Sequence, residues 1–125
     1  NKSGKSIQAA LDFFKIPVQE LLVVHDDTEL DFAQIEFKSG GGLAGHNGLK
    51  SLVLSLGMRD FKRLRLGIGS PDKGTLSSFV LGVFTPEESI ILPRYLTAAA
   101  RALEDCLLRG FPGVEKNYKK KRLME

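Results

Sequence analysis

Cysteine and long apolar runs are scarce in this 125-residue sequence, and each scarcity excludes a class of protein. The single cysteine, Cys106, cannot form an internal disulfide, and its apolar helical surroundings are typical of a small buried side chain. The longest apolar run, 21–24, is far shorter than the roughly 20 residues that a membrane-spanning helix needs. No signal-peptide pattern opens the chain. We therefore expect a cytoplasmic protein without a membrane partner.

Length and charge bound the domain organisation. Hydrophobic residues make up 42% of the chain, enough for one core, so we expect a single domain over residues 1–125. Residues 1–108 hold 12 Lys and Arg against 13 Asp and Glu, whereas residues 109–125 hold 6 against 2. The basic tail, defined here as residues 111–125, could contact a polyanion or could be a solvated terminal run.

Hydrophobic periodicity predicts helices that alternate with strands, and therefore an α/β fold with a mixed sheet flanked by helices. The predicted helices begin at a Ser3 cap, after the glycine-rich stretch at 40–48, and at Thr85, the last with a kink or an offset start at Pro93. The predicted strands are 21–24 with both faces covered, 33–38 with one wet face, and 63–68. Residues 76–84 are ambiguous between helix and strand.

A glycine loop, defined here as residues 40–45, joins the second strand to the second helix. Such a density of glycine predicts backbone with positive φ or a close approach to another group. His46 and Asn47 follow at a helix N-terminus, where backbone amides favour an anion or a developing oxyanion. Asn47 could donate to such an oxyanion, while His46 could be a general base or merely part of the turn.

An acidic turn, residues 25–31, follows the first strand at the edge where α/β sheets collect chemistry. Asp26 there could orient a histidine general base. A calcium loop is disfavoured because Phe32 replaces the required glycine and Lys38 the required bidentate acid. We expect no metal, and the lack of a G-x-S-x-G motif or of a cysteine beside a histidine argues against a covalent nucleophile.

A dinucleotide-binding domain is the rival interpretation of the glycine loop. Gly40, Gly42 and Gly45 satisfy G-x-G-x-x-G between a strand and a helix. Against it, the preceding strand alternates instead of being uniformly apolar, and Arg65 lies near the position where an acid should hold the ribose.

Four segments form an ordered set: the Asn-x-Ser-Gly-Lys pattern at 1–5, His25-Asp26 after the apolar strand, 40–50 and 63–69. Together they resemble bacterial peptidyl-tRNA hydrolase. The resemblance covers the whole chain. It implies an α/β fold with a mixed sheet, usually monomeric, that hydrolyses the ester between a peptide and the 3′-terminal ribose of tRNA and so recycles tRNA in translation. We expect this hydrolase to need no cofactor.

The resemblance also implies roles for residues of the active site. Asp26 matches the acid that orients the catalytic histidine, and Asn47 the amide beside the reacting carbonyl. Asn1 and Asn47 match two asparagines that hold the peptide main chain and the attacking water, with Gly45 and His46 beside them in the substrate site.

A second set of residues is implied to bind the acceptor stem and 3′ end of peptidyl-tRNA. Lys38 and Arg65 match the basic pair that clamps a tRNA phosphate, and Arg63 on the same strand face could add to that clamp. The alternative function is an RNA-binding relative without catalysis, in which these residues and the basic tail bind an acceptor stem.

One element of the family is missing from the printed sequence. The family's general-base histidine belongs to a segment that would precede Asn1, and neither His25 nor His46 matches it. For the chain as given, we therefore expect exposed apolar surface, a sheet that lacks at least one strand, and poor activity.

Overall fold

The computed structural model describes residues 2–43, 45–69 and 84–124. Its helices are α1 Ser3–Phe13, α2 Asn47–Leu56, α3 Pro86–Arg109 and α4 Phe111–Asn117, with a 3₁₀ turn at Val18–Glu20. Its strands are β1 Leu22–Asp27, β2 Gln34–Ser39, β3 Lys62–Gly67 and β4 Lys121–Arg122. The ambiguous segment 76–84 lies outside the described residues except for Phe84.

The strands form one mixed sheet in the order β1-β3-β2-β4. β1 runs parallel to β3, whereas β2 runs antiparallel to both β3 and β4. The glycine loop and α2 therefore connect two neighbouring antiparallel strands. The predicted α/β fold with a mixed sheet and flanking helices is confirmed.

Helices cover both faces of this sheet. On one face, α1 and α2 pack over a buried cluster: Leu49, Leu52 and Phe61, with Ile7, Leu21 and Val23 beside it. On the other face, α3 and α4 enclose the larger cluster: Ala33, Ile35, Phe37, Leu64, Tyr95, Ala102, Cys106 and Val114. Cys106 is buried, as its apolar surroundings predict, and burial raises the pKa of its thiol.

Of the predictions for the strands at 33–38 and 21–24, one is confirmed and one is wrong. Ala33, Ile35 and Phe37 are all buried, while the residues between them are partly solvated, so the prediction of one wet face is confirmed. The prediction that β1 is covered on both faces is wrong, because Val24 is 46% exposed. Among the described strands, β1 has only β3 as a neighbour and forms an edge of the sheet.

The first helix starts in a different way from the prediction. Ser3 lies inside α1, and the residue at its N-cap, Lys2, makes no capping hydrogen bond with its side chain. Gly4 instead ties α1 to α2, because its amide donates to Oγ of Ser51 over 2.9 Å. A Cβ atom at Gly4 would lie 2.1 Å from the carbonyl oxygen of Ser51, so only glycine permits this approach.

The long third helix begins as its sequence predicts. Thr85 accepts from the amide of Glu88, whose side chain accepts from the amide of Thr85, which completes a capping box. The helix continues through Pro93 to Arg109, with Gly110 as its C-cap, so no offset start occurs at Pro93. Among the described residues, none of the helices has the length and apolar character needed to cross a membrane.

Candidate active site

The glycine loop has the unusual backbone that its composition predicts. Gly40, Gly41 and Gly45 all have positive φ, at 70°, 105° and 72°. A side chain would strain each of these positions. The loop therefore delivers the chain from β2 to the start of α2 by a path that depends on glycine.

Arg63 holds this loop from within the protein. Its guanidinium donates from Nη1 to the carbonyl oxygen of Gly42 over 2.7 Å, and from Nη2 to that of Gly41 over 3.1 Å. The side chain is only 2% exposed and stacks on the ring of Phe61. Because so buried a group does not fit the expected contact with a tRNA phosphate, we interpret Arg63 as a support of the glycine loop.

One imidazole joins the end of β1 to the start of α2. Nε2 of His46 lies 2.8 Å from Oδ1 of Asp26, and Nδ1 of the same ring lies 3.2 Å from the amide nitrogen of Leu49. An amide nitrogen can only donate, so Nδ1 is the acceptor. Nε2 therefore carries the hydrogen and donates it in the hydrogen bond to Asp26. His46 is thus the N-cap of α2 and the orienting partner of Asp26.

This arrangement decides between the alternatives for His46. Its Nδ1 lone pair is used by the helix, and its Nε2 proton points to a carboxylate. Neither nitrogen is left to take a proton from water, so the structure does not favour His46 as the general base.

Asp26 is kept negatively charged by its neighbour. Its hydrogen bond with His46 lowers the pKa of the Asp26 carboxyl, against the opposing effect of partial burial. The side chain is 39% exposed, so a ligand can approach it. Oδ1 serves His46, and Oδ2 is the oxygen with which Asp26 can orient a second imidazole.

His25 forms a second, buried layer behind this pair. Its ring lies edge-on to that of His46, with the centroids 5.6 Å apart. Nδ1 donates to the carbonyl oxygen of Asp26 over 2.9 Å, and the buried Nε2 has no partner among the described residues. Burial lowers the pKa of His25, so the ring is neutral and packs as part of the interior. It is therefore also unsuited to act as the base.

Arg65 is more heavily paired than the sequence suggests. Its Nε donates to Oδ2 of Asp27 over 2.8 Å, and its Nη1 donates to Glu36 on the neighbouring strand. Its side chain is 11% exposed. Burial opposes the charge on both groups, yet the pairing lowers the pKa of Asp27 and raises that of Arg65. The phosphate contact predicted for Arg65 is untested and stays a prediction.

The other predicted site residues lie around this centre. Asn47 is the first residue of α2 and is exposed, Gly45 is exposed in the loop, and Lys38 is exposed near the end of β2. Asn1 lies outside the described residues. In the described part of the chain, no three His, Cys, Asp or Glu side chains are placed to hold a metal ion.

The topology disfavours the dinucleotide interpretation. That fingerprint lies between two parallel strands of a βαβ unit. Here the strands before and after the loop, β2 and β3, are antiparallel neighbours.

Sequence reasoning missed the two groups that organise the site from inside. The sequence places His25 only in the acidic turn and in the His25-Asp26 pattern, and Glu36 only on the wet face of a strand. The register pairs His25 and Glu36 with Arg65 from opposite sides. The available signal was the alternation of Glu36 and Lys38 in β2 and of Arg63 and Arg65 in β3, which places opposite charges on one face.

Comparison with known proteins identifies relatives of this arrangement. A family model described as peptidyl-tRNA hydrolase matches residues 1–125. Peptidyl-tRNA hydrolase of Geotalea uraniireducens (strain Rf4) is 44% identical over 124 residues, which are 99% of this chain and 65% of that protein. Peptidyl-tRNA hydrolase of Trichlorobacter lovleyi is 44% identical over 125 residues, which are 100% of this chain and 65% of that protein. The chain thus spans just under two thirds of these relatives.

Solved structures of peptidyl-tRNA hydrolases have a similar fold. A crystal structure of peptidyl-tRNA hydrolase in complex with N-propanol has a TM-score of 0.77 and 30% identity, covering 98% of this chain and 63% of the other. A mutant of the Acinetobacter baumannii peptidyl-tRNA hydrolase has a TM-score of 0.74 and 31% identity, covering 96% and 63%.

Proposed function

Because the chain belongs to the peptidyl-tRNA hydrolase family, we propose that its protein hydrolyses the ester between a peptide and the 3′-terminal ribose of tRNA. The observation that carries this proposal is the pair formed by His46 and Asp26 across 2.8 Å, beside the glycine loop. It leaves a charged, partly exposed carboxylate at the end of a strand and next to a helix N-terminus. That combination suits the activation of water and the stabilisation of an oxyanion.

Water is the proposed nucleophile. A histidine base would remove its proton as the oxygen attacks the ester carbonyl, and would then return the proton to the departing 3′ oxygen of the ribose. Asp26 would hold that histidine in the correct tautomer through Oδ2. The two histidines of the printed sequence are engaged as described above. We therefore propose that the base comes from the part of the relatives' length that this chain does not span.

The start of α2 is the proposed oxyanion site. Asn47 is exposed at the first position of the helix, where backbone amides and the helix dipole favour negative charge. Its side-chain amide can donate to the carbonyl oxygen as that oxygen gains charge. We also propose that Gly45 leaves room beside it for the peptide main chain, because its Cα faces open space.

The proposed substrate leads to further proposals about where the protein acts and which surface binds tRNA. Peptidyl-tRNA occurs where translation occurs, so we propose that the protein acts in the cytoplasm. The acceptor stem would then lie across the surface that includes Lys38, whose exposed ammonium can contact a phosphate. The expected monomeric state stays a prediction that sedimentation would test.

The deciding experiment measures the release of tRNA from an N-blocked aminoacyl-tRNA. It compares this chain, the protein with whatever its gene encodes ahead of Asn1, and that longer protein with Asp26→Asn. We expect turnover by the longer protein, and a loss of about a hundredfold or more in Asp26→Asn, since general base catalysis contributes roughly 10²–10⁴-fold.

The matched control is Asp12→Asn, the same chemical change on an exposed residue of α1. It should leave turnover unchanged. Binding of tRNA without turnover in any form would reject the hydrolase and favour the non-catalytic RNA-binding relative. Equal turnover in Asp26→Asn and in the parent would reject the role of Asp26.

A further inference from the structure

A cavity of about 490 Å³ brings the basic tail to the predicted phosphate-binding residues. Lys38 from β2 and Arg65 from β3 line it, together with Lys119 and Lys120 from the segment just before β4. These four basic residues come from three separate parts of the chain. The tail is therefore part of the same surface as the proposed tRNA site.

Backbone pairing fixes the tail in this position. In the antiparallel ladder, Arg122 lies opposite Gln34 and Lys121 opposite Ile35. The side chain of Gln34 donates from Nε2 to the carbonyl oxygen of Lys120 over 3.2 Å. Farther along the tail, the amide of Leu123 donates over 2.9 Å to the carbonyl oxygen of Ala33, the residue before β2. Lys119 and Lys120 are consequently held alongside β2.

The charges of Lys38 and Arg65 alone do not make this cavity favourable for a phosphate. Three carboxylates also line it, those of Glu29, Glu36 and Glu115, so two positive charges face three negative ones. Arg65 already donates to Glu36 and to a second carboxylate. Without further positive charge, the formal charge of this lining is therefore unfavourable for a phosphate.

The tail lysines reverse that balance. With Lys119 and Lys120 included, the cavity is lined by four positive and three negative groups. Within the described part of the chain, the ammonium groups of Lys38, Lys119 and Lys120 have no carboxylate within ion-pair distance. These three amines are thus available to a ligand, whereas the guanidinium of Arg65 is largely engaged.

We propose that Lys119 and Lys120 form, with Lys38, the principal phosphate-binding edge of this protein, and that its ligand is the phosphodiester backbone of an RNA stem. The inference rests on the proposed function and deepens it. Lysine ammonium groups act as point charges on phosphates and do not distinguish bases, so this edge would position the stem without selecting its sequence. The phosphate contact predicted for Arg65 would be secondary, because this side chain is already paired with Asp27 and Glu36.

The test compares Lys119→Gln/Lys120→Gln with the parent chain. Fluorescence anisotropy would follow binding to an RNA hairpin that mimics an acceptor stem, over a range of about 50 to 200 mM salt. We expect the double variant to bind about tenfold more weakly at the low-salt end, and its slope of log K against log salt to fall by about 1 to 2. Its melting temperature should match that of the parent.

The charge-matched control is Lys15→Gln/Arg94→Gln. Both residues are exposed, Lys15 after α1 and Arg94 on α3, and neither lines the cavity. This variant should keep the affinity and salt slope of the parent. In a form that shows turnover, Lys119→Gln/Lys120→Gln should raise KM and leave kcat unchanged, because it removes binding and not chemistry.

The inference would be overturned if the double tail variant bound the hairpin as the parent does while Lys38→Gln weakened binding. Turnover with an unchanged KM in the double tail variant would likewise reject the inference and leave the hydrolase proposal standing. Conversely, loss of hairpin binding in that variant, with no turnover by any form, would support the phosphate-binding edge and reject the hydrolase.

Discussion

The buried guanidinium of Arg63 donates to the carbonyl oxygen of Gly42 over 2.7 Å and so fixes the loop that leads into the site. Further hydrogen bonds from Nη2 reach the carbonyls of Gly41 and Arg59. Arg63 belongs to β3, so a side chain of the central sheet determines the position of the glycine loop.

Replacing this guanidinium should loosen the loop and destabilise the fold. For Arg63→Met we expect the free energy of unfolding to fall by about 2–3 kcal/mol, since hydrogen bonds to a charged group contribute about 1.5–3 kcal/mol each and water can replace part of them. Urea denaturation would measure this. The control, Arg59→Met, changes an exposed neighbour and should stay within about 0.5 kcal/mol of the parent. Equal stability of the two variants would contradict the supporting role of Arg63.

The contact between α1 and α2 should not tolerate a side chain at Gly4. Gly4→Ala places a Cβ atom 2.1 Å from the carbonyl oxygen of Ser51, so the helices must separate. We expect a loss of about 1–3 kcal/mol, the usual range for overpacking, measured by thermal or urea unfolding. In Gly42→Ala, the added atom meets nothing within 4 Å and the stability should change little. An unchanged Gly4→Ala would show that the helices can move apart at no cost.

The two contacts of His46 can be separated by substitution. Asparagine is a good N-cap but is too short to replace the imidazole that reaches Asp26. For His46→Asn, we expect the helix cap to be kept and only a small loss of stability from the missing bond to the partly exposed Asp26. In a form that shows turnover, kcat/KM should fall by about 10- to 100-fold, corresponding to a charged hydrogen bond of about 1.5–3 kcal/mol. His46→Ala should lose about 1 kcal/mol more of stability, because it also removes the cap. Full activity in His46→Asn would contradict the orienting role.

Acid should destabilise the fold in two separate ranges of pH. Burial lowers the pKa of His25 from 6.5, so the unfolded chain binds more protons than the folded one, and stability falls as the pH drops below about 6.5. The pKa values of Asp26 and Asp27 are lowered from 3.8, so a further loss follows as the pH falls below about 3.8.

Melting temperatures measured from pH 8 to pH 3 would show these ranges. His25→Asn keeps a donor for the Asp26 carbonyl but has no titrating ring, so it should remove the upper transition and leave the lower one. An identical pH profile in His25→Asn would contradict the assignment to His25.

The features of this molecule that depend on residues close together in the sequence can be predicted from local residue patterns. The alternation at 33–38 marks β2 since one face must pack against α3 and α4, and Thr85 with Glu88 marks the start of α3 since a capping box spans only four residues. The glycine loop and the position of His46 at a helix start are predictable for the same reason.

Other features depend on strand order and register, which the sequence does not state. β1 is as apolar as an interior strand, yet in the described sheet it lies at an edge with Val24 exposed. Arg63 and Arg65 share one face, as predicted, but one supports loop carbonyls and the other is paired with carboxylates from β1 and β2. The partner of Arg65 on β2 is set by the strand register, and the partners of Arg63 by the path of the glycine loop.

The short strand β4 has a thermodynamic consequence for the lysines beside it. A free tail would have to lose backbone freedom on binding RNA, at about 1–2 kcal/mol for each ordered residue. Here the ladder with Gln34 and Ile35 already restricts residues 121 and 122 in the folded protein. The ordering cost is therefore met during folding, and the adjoining ammonium groups would meet a phosphate as a preorganised surface.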